Sequence, residues 1–284
     1  MGARAANRAA PCGKLGLVII LLHVLAAALY GAAAWARWPR RETPAPSRRT
    51  AGHVLLVAAL VVHAVAIAFA IVRDDGLDLS FANALSLVAG LAVLAAWLIG
   101  VLNALPGVAA VVLPVAAACA LLPSAATSSH RVALAAEPWA AIHISVALVA
   151  YALFVVVALQ ALVMTGLEKR LHRGLPDVSA QRSPPLITLE RYMFRLLGVG
   201  FVLLTFTLVS GILFSEQIFG KAVPLTHKNV FSVAGWLAFA VLLFGRWRYG
   251  WRGRTALKWI LGATVLLVLG YLGSKFVLEV ILHR

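Results

Sequence analysis

Long apolar stretches separated by short polar ones dominate the chain. A bilayer hydrocarbon core of about 30 Å takes roughly 20 residues of helix. Eight stretches approach or exceed that length: 15–36, 52–72, 81–102, 107–122, 139–165, 192–215, 229–245 and 256–280. The pattern predicts an all-α, polytopic membrane protein with eight transmembrane helices. The fourth stretch is the shortest. Pro114 lies inside it, where it removes a backbone donor and kinks a helix. The simplest reading pairs it with the third through Asn103 and Pro106-Gly107, and a re-entrant hairpin is the alternative. Residues 37–50 are Pro-rich and basic and read as a loop. Residues 166–191 are polar, and Ser183-Pro184-Pro185 bars any helix from running into the sixth segment. No internal repeat is visible, so the inverted-repeat signature of many secondary transporters is missing.

Composition agrees with the pattern. The 284 residues are 62% hydrophobic and 12% charged, against about 45–50% and about 25% in globular chains. The formal charge of +15 would suggest a nucleic-acid partner in a soluble protein. Here the cations sit between apolar runs and act as topology signals, so no nucleic acid is expected. Arg37, Arg40, Arg41, Arg48 and Arg49 follow segment one. Lys169, Arg170, Arg173, Arg182 and Arg191 follow segment five. Arg246, Arg248, Arg252 and Arg254 follow segment seven. The odd loops are therefore cytoplasmic and both termini lie outside, although Arg4, Arg8 and Lys14 in the N-terminal tail pull the other way. A cleaved signal peptide is the alternative for segment one, since small residues end its apolar run at Ala32–Ala34. Trp139 opens segment five at the outer surface. Trp247, Trp251 and Trp259 form an interfacial belt at the inner one. The cytoplasmic cations suit anchoring or an anionic surface. The bilayer is thus the first partner.

Candidate chemistry is sparse. Cys12 and Cys119 are the two cysteines, without CxxC or CxxCH, which excludes a disulfide scaffold, a cysteine zinc site and covalent c-type haem. There is no Walker A, HExxH or GxSxG, so no enzyme is expected. No acid lies mid-membrane in the first seven segments, which argues against a proton-coupled transporter. Lys275 and Glu279 are one turn apart near the outer end of segment eight and read as a local pair. The histidines are more informative. With this topology His23, His63, His143, His130, His227 and His283 collect toward the outer side, whereas His53 and His172 lie inside. Imidazole is the common neutral ligand of haem iron, although histidines are also ordinary at interfaces.

Four stretches then carry a resemblance: WAAIHISVALVAYALF (139–154), SPPLITLERYMFRLLGVGFVLLTFTLVSGILF (183–214), HKNVFSVAGWLAFAVLLFGRWRYGWRGRTALKW (227–259) and GYLGSKFVLEVIL (270–282). In order and content they resemble the CcsA/CcmC-type cytochrome c assembly proteins. PPLITLER and YGWRGR resemble the YpjD branch of that family. Before residue 138 the likeness is hydropathy plus the VVHAVAI stretch around His63. The chain therefore divides into 1–137, with four helices and the basic loop 37–50, and 138–284, the four assembly-like helices, within one membrane domain.

The resemblance implies a bacterial inner-membrane location and non-enzymatic handling of haem at the outer, periplasmic face. It also implies apocytochrome or other assembly proteins as partners. It places His143 at the histidine ahead of the family's haem-handling loop, with His283 near the second histidine, one residue out of register. His227 and His63 complete the candidate ligand set. The family's tryptophan-rich loop is replaced by FGKAVPLTHKN at 219–229. Phe219 and Gly220 match its opening and Trp236 a tryptophan in the following helix, while Val223, Leu225 and Thr226 stand where central tryptophans and an aspartate belong. Without those rings a haem loses its stacking platform. A haem-free regulatory or scaffolding protein is therefore the second reading, and a small-solute transporter the third.

Overall fold

In the computed structural model, residues 13–38, 46–73, 76–104, 106–125, 131–132, 138–173, 186–219, 227–273 and 276 are described. Their helices are α1 (Gly13–Arg37), α2 (Pro46–Ile71), α3 (Phe81–Leu98), α4 (Val101–Ala104), α5 (Pro106–Ala125), α6 (Pro138–His172), α7 (Leu186–Phe219), α8 (His227–Tyr249) and α9 (Gly253–Val268). A π-helical turn, Leu269–Gly273, continues α9. Eight helices among these residues, all but the four-residue α4, are long and apolar enough to cross a bilayer.

Proline sets several boundaries. Pro46, Pro106 and Pro138 each open a helix, where the missing N–H has no partner to lose and the fixed φ suits the first turn. The fourth apolar stretch forms one continuous 20-residue helix despite Pro114 and Pro123 inside it. The structure therefore favours a full span there over a re-entrant hairpin. Helices also outrun the apolar segments. The helix over the sixth stretch starts at Leu186, six residues before 192, and α2 reaches back to Pro46 inside the basic loop. Hydropathy reports where lipid is, whereas a helix ends only where its hydrogen bonds do.

Gly100, with φ +74°, turns the chain after α3. After α8 the turn is an αL cap. Gly250 takes φ +66° and donates its N–H to the Arg246 carbonyl at 3.1 Å, while the Trp251 N–H bonds the Gly245 carbonyl at 3.2 Å. A small antiparallel sheet was not foreseen from the sequence. Its strands β1 (Val72–Arg73), β2 (Gly76–Asp78) and β3 (Arg131–Val132) lie in the order β1-β2-β3. Val72 pairs with Leu77 and Leu77 with Val132. The sheet ties the end of α2 to the segment between α5 and α6.

One core runs through the molecule, from Tyr30 and Leu56 to Phe239 and Ile260. In the first half α1 packs on α2 and α5. In the second half α6 packs on α7 and α9. The helix α3 touches α5 and α6 and joins the two. Phe154 of α6 stacks on Phe239 of α8 with centroids 4.3 Å apart and planes at 11°. Gly200 of α7 lies so close that an added Cβ would be 3.3 Å from the Phe154 ring. Leu17, Leu21, Val202, Phe206 and Phe244 are exposed, as lipid-facing positions in a bilayer protein must be.

Candidate functional site

His143 stands in the second turn of α6, five residues after Pro138. Its ring is half-buried and faces α7. The Nδ1 atom is 2.8 Å from Ser210 Oγ. Ser210 Oγ is also 2.7 Å from the Phe206 carbonyl and 3.2 Å from the Thr207 carbonyl. A hydroxyl has a single proton, and these carbonyls accept it. Ser210 therefore accepts from His143 through Nδ1–H. Gly211 follows, and a Cβ there would sit 3.4 Å from His143 Cε1, so α7 passes against the ring. Lower on the same helix Trp236 Nε1 donates to Thr205 Oγ1 at 2.9 Å. Its indole stacks on Phe201 at 5.5 Å and 17°.

A second polar cluster lies in the first half of the chain. His63 is buried, and both its nitrogens are engaged: Nδ1 with Tyr30 Oη at 3.1 Å and Nε2 with Ser86 Oγ at 2.9 Å. Gly90 covers the ring, and a Cβ there would lie 3.0 Å from Cε1 and Nδ1. His23 is fully buried beside it, within electrostatic reach of His63. The Ala120 carbonyl faces His23 without meeting hydrogen-bond geometry, so neither ring nitrogen has a hydrogen-bond partner among the described residues. This cluster belongs to α1, α2 and α3, whereas His143 belongs to the α6–α7 contact. His227 opens α8, but its side chain lies outside the described residues, as do all of His283, His130, Lys275 and Glu279.

The loop cations predicted as cytoplasmic anchors are in part interhelical partners. Arg246 of α8 donates to Glu190 of α7 at 2.6 Å and to the Trp251 carbonyl at 3.1 Å, and its guanidinium lies 4.2 Å from the Phe194 centroid. Arg254 of α9 meets Glu168 of α6 at 3.3 Å. Sequence reasoning overlooked Tyr30, Ser86, Glu168 and Ser210. Ser210 lies inside a quoted motif, but nothing local marks a serine as the partner of a histidine 67 residues away.

With the geometry in view, comparison with known proteins is informative. The family described as "Cytochrome C assembly protein" matches residues 52–282. The chain belongs to that family. The match starts well before residue 138 and takes in His63 and Ser86, so the likeness is broader than the four quoted stretches. The inner membrane protein YpjD of Escherichia coli K12 is 32% identical over 231 residues, 79% of this chain and 85% of the relative. The cytochrome c biogenesis protein CcsA of Rippkaea orientalis is 34% identical over 80 residues, 28% of this chain and 24% of that one. A 28.8 kDa protein of Azospirillum brasilense is 33% identical over 144 residues, 51% and 53% of the two chains. No solved structure matches.

The chain is therefore a multi-pass inner-membrane protein of the cytochrome c assembly family, and that membership supports a role in handling haem in general. The residues present fit haem in one respect. Among the described residues no three His, Cys, Asp or Glu side chains gather to hold a bare metal ion. Haem brings four ring nitrogens of its own and needs only one or two imidazoles. His143, held through Nδ1, has the form of such a ligand.

Proposed function

We propose that this protein binds and hands on haem at the outer face of the membrane, with His143 as its leading iron ligand. The observation that carries the reading is the Ser210 hydroxyl, which holds the His143 ring through Nδ1 in the α6–α7 contact. His283 and His227 are the next candidates by their place in the family pattern. His63 would have to give up Tyr30 or Ser86 to reach iron, so it ranks behind them. Haem would supply the redox-active iron, and this chain supplies the imidazole, the hydroxyl that orients it and the apolar walls around it. No covalent step by the chain's own residues is needed. The partners are an apocytochrome or other assembly proteins.

A specific observation favours a second reading. FGKAVPLTHKN lacks the central tryptophan rings of the family's loop, which suits a haem-free scaffold that has kept the fold. Absorption spectra of the detergent-purified protein, oxidised and dithionite-reduced, separate the two. The haem reading expects a Soret band, native or after haem is added, with sharp α and β bands on reduction. It also expects His143→Ala to lose or shift that band while the protein still inserts. A flat spectrum that persists with added haem refutes it and leaves the scaffold.

A further inference from the structure

A groove of about 440 Å³ runs along α9 where it meets α8, remote from His143 in the chain and unused by the haem reading. Ala238 of α8 and Lys258, Trp259, Gly262, Ala263 and Leu266 of α9 line it. Small residues make the hollow. A Cβ on Gly262 would meet nothing within 4 Å. The outward stripe of α9 is Lys258, Gly262, Val265 and Leu269, all exposed except as bilayer covers them, so the groove opens toward acyl chains. From Lys258 to Leu266 the helix rises about 12 Å. One leaflet offers about 15 Å of hydrocarbon, half of the roughly 30 Å core. The groove thus has the length of a single-leaflet tail.

Its Lys258 end is positively charged. Glu190 and Glu168 neutralise Arg246 and Arg254. Lys258, Arg248 and Arg252 are exposed and form no ion pair among the described residues. Trp259 stacks on Trp251 at 5.9 Å, and Trp251 on Tyr249 at 6.4 Å, both with planes at 27°. Aromatic rings with polar edges favour the headgroup level. An apolar slot of leaflet depth, capped by aromatics and uncompensated cations, fits one kind of occupant.

We propose that this groove holds an acyl chain of an anionic glycerophospholipid, with its phosphate-bearing headgroup against Lys258. The test is native mass spectrometry of the full-length protein in detergent. It is titrated with phosphatidylglycerol, with phosphatidylcholine of the same chains, and with glycerol phosphate. The expected result is phosphatidylglycerol retained several-fold over phosphatidylcholine and no retention of glycerol phosphate. Lys258→Gln should cut the preference about fivefold, the effect of one cation near an anionic headgroup. Gly262→Leu, which fills open space rather than packed core, should abolish retention of the tightest-bound lipid. Equal retention of the two lipids, or an unchanged preference in Lys258→Gln, overturns the headgroup assignment. Undiminished retention in Gly262→Leu overturns the groove, and binding of glycerol phosphate alone makes it a phosphate site instead.

Discussion

His63 spends both ring nitrogens on hydroxyls from two other helices, Tyr30 of α1 and Ser86 of α3. In hydrocarbon an imidazole nitrogen without a partner is costly, because no water is present to replace the lost bond. Tyr30→Phe keeps the ring and removes the partner. It should destabilise the protein by about 1–3 kcal/mol, read as a lowered unfolding midpoint in mixed micelles. Tyr192→Phe, at an exposed tyrosine on α7, is the control and should leave the midpoint in place. Equal midpoints for the two variants would mean that the buried bond contributes no net stability. The two histidines at the heart of each polar cluster, His63 and His143, were legible in the sequence as imidazoles inside apolar segments. Their hydroxyl partners were not. Tyr30, Ser86 and Ser210 sit 23 to 67 residues from the histidines they hold, and hydrophobic periodicity says nothing about pairs across helices.

Between α8 and α9, packing depends on glycines at points of close approach. Trp251 lies flat against Gly245, where a Cβ would come within 2.5 Å of the indole. This contact accompanies the αL cap, with the residue after the left-handed glycine packed back on the last turn. Part of the YGWRGR motif is thereby explained. Gly250 supplies the positive φ and Trp251 the back-packing ring, which is more than interfacial anchoring. Gly245→Ala should cost about 1–3 kcal/mol, as overpacking does. Gly198→Ala, on α7 with nothing within 4 Å of its Cβ position, should be neutral or stabilising by up to about 1 kcal/mol through helix propensity. Thermal unfolding of the two variants side by side checks this, and a matched loss in both would show that the Trp251 contact carries no special weight. Existence and order of the eight long helices were readable from apolar runs. Their ends were less so: Gln160 of α6 donates to the Leu189 carbonyl at 3.0 Å, which secures a first turn of α7 that hydropathy alone misses.

For the molecule as a whole, the charge pattern implies that both ends of the chain face outward. A C-terminal alkaline phosphatase fusion should then be active and a C-terminal green fluorescent protein fusion dark, with the reverse at position 250 between α8 and α9. A fluorescent C-terminal fusion would invert the topology and move His143 to the cytoplasmic side. The described helices form one packed body through α3, which touches both α5 and α6. The family match over residues 52–282 likewise crosses the boundary that motif density suggests at 138. Motif content and packing therefore divide the chain differently: the quoted motifs are concentrated in the second half, while the core is shared.

Sequence by itself determined that the chain crosses a membrane about eight times, because a bilayer imposes one length and one polarity on every span and both can be counted along a line. It also singled out the histidines, since a titratable ring in an apolar run is visible wherever it occurs. Tertiary structure alone decided which imidazoles are already committed and to whom. His63 is locked by two hydroxyls, His23 is buried with no hydrogen-bond partner for its nitrogens among the described residues, and His143 is oriented by Ser210. It alone showed that Arg246 and Arg254 are paired while Lys258, at the end of a groove, forms no ion pair among the described residues. Those outcomes depend on distances between helices remote in sequence, and lipid-facing and helix-facing apolar residues look alike until the helices are packed.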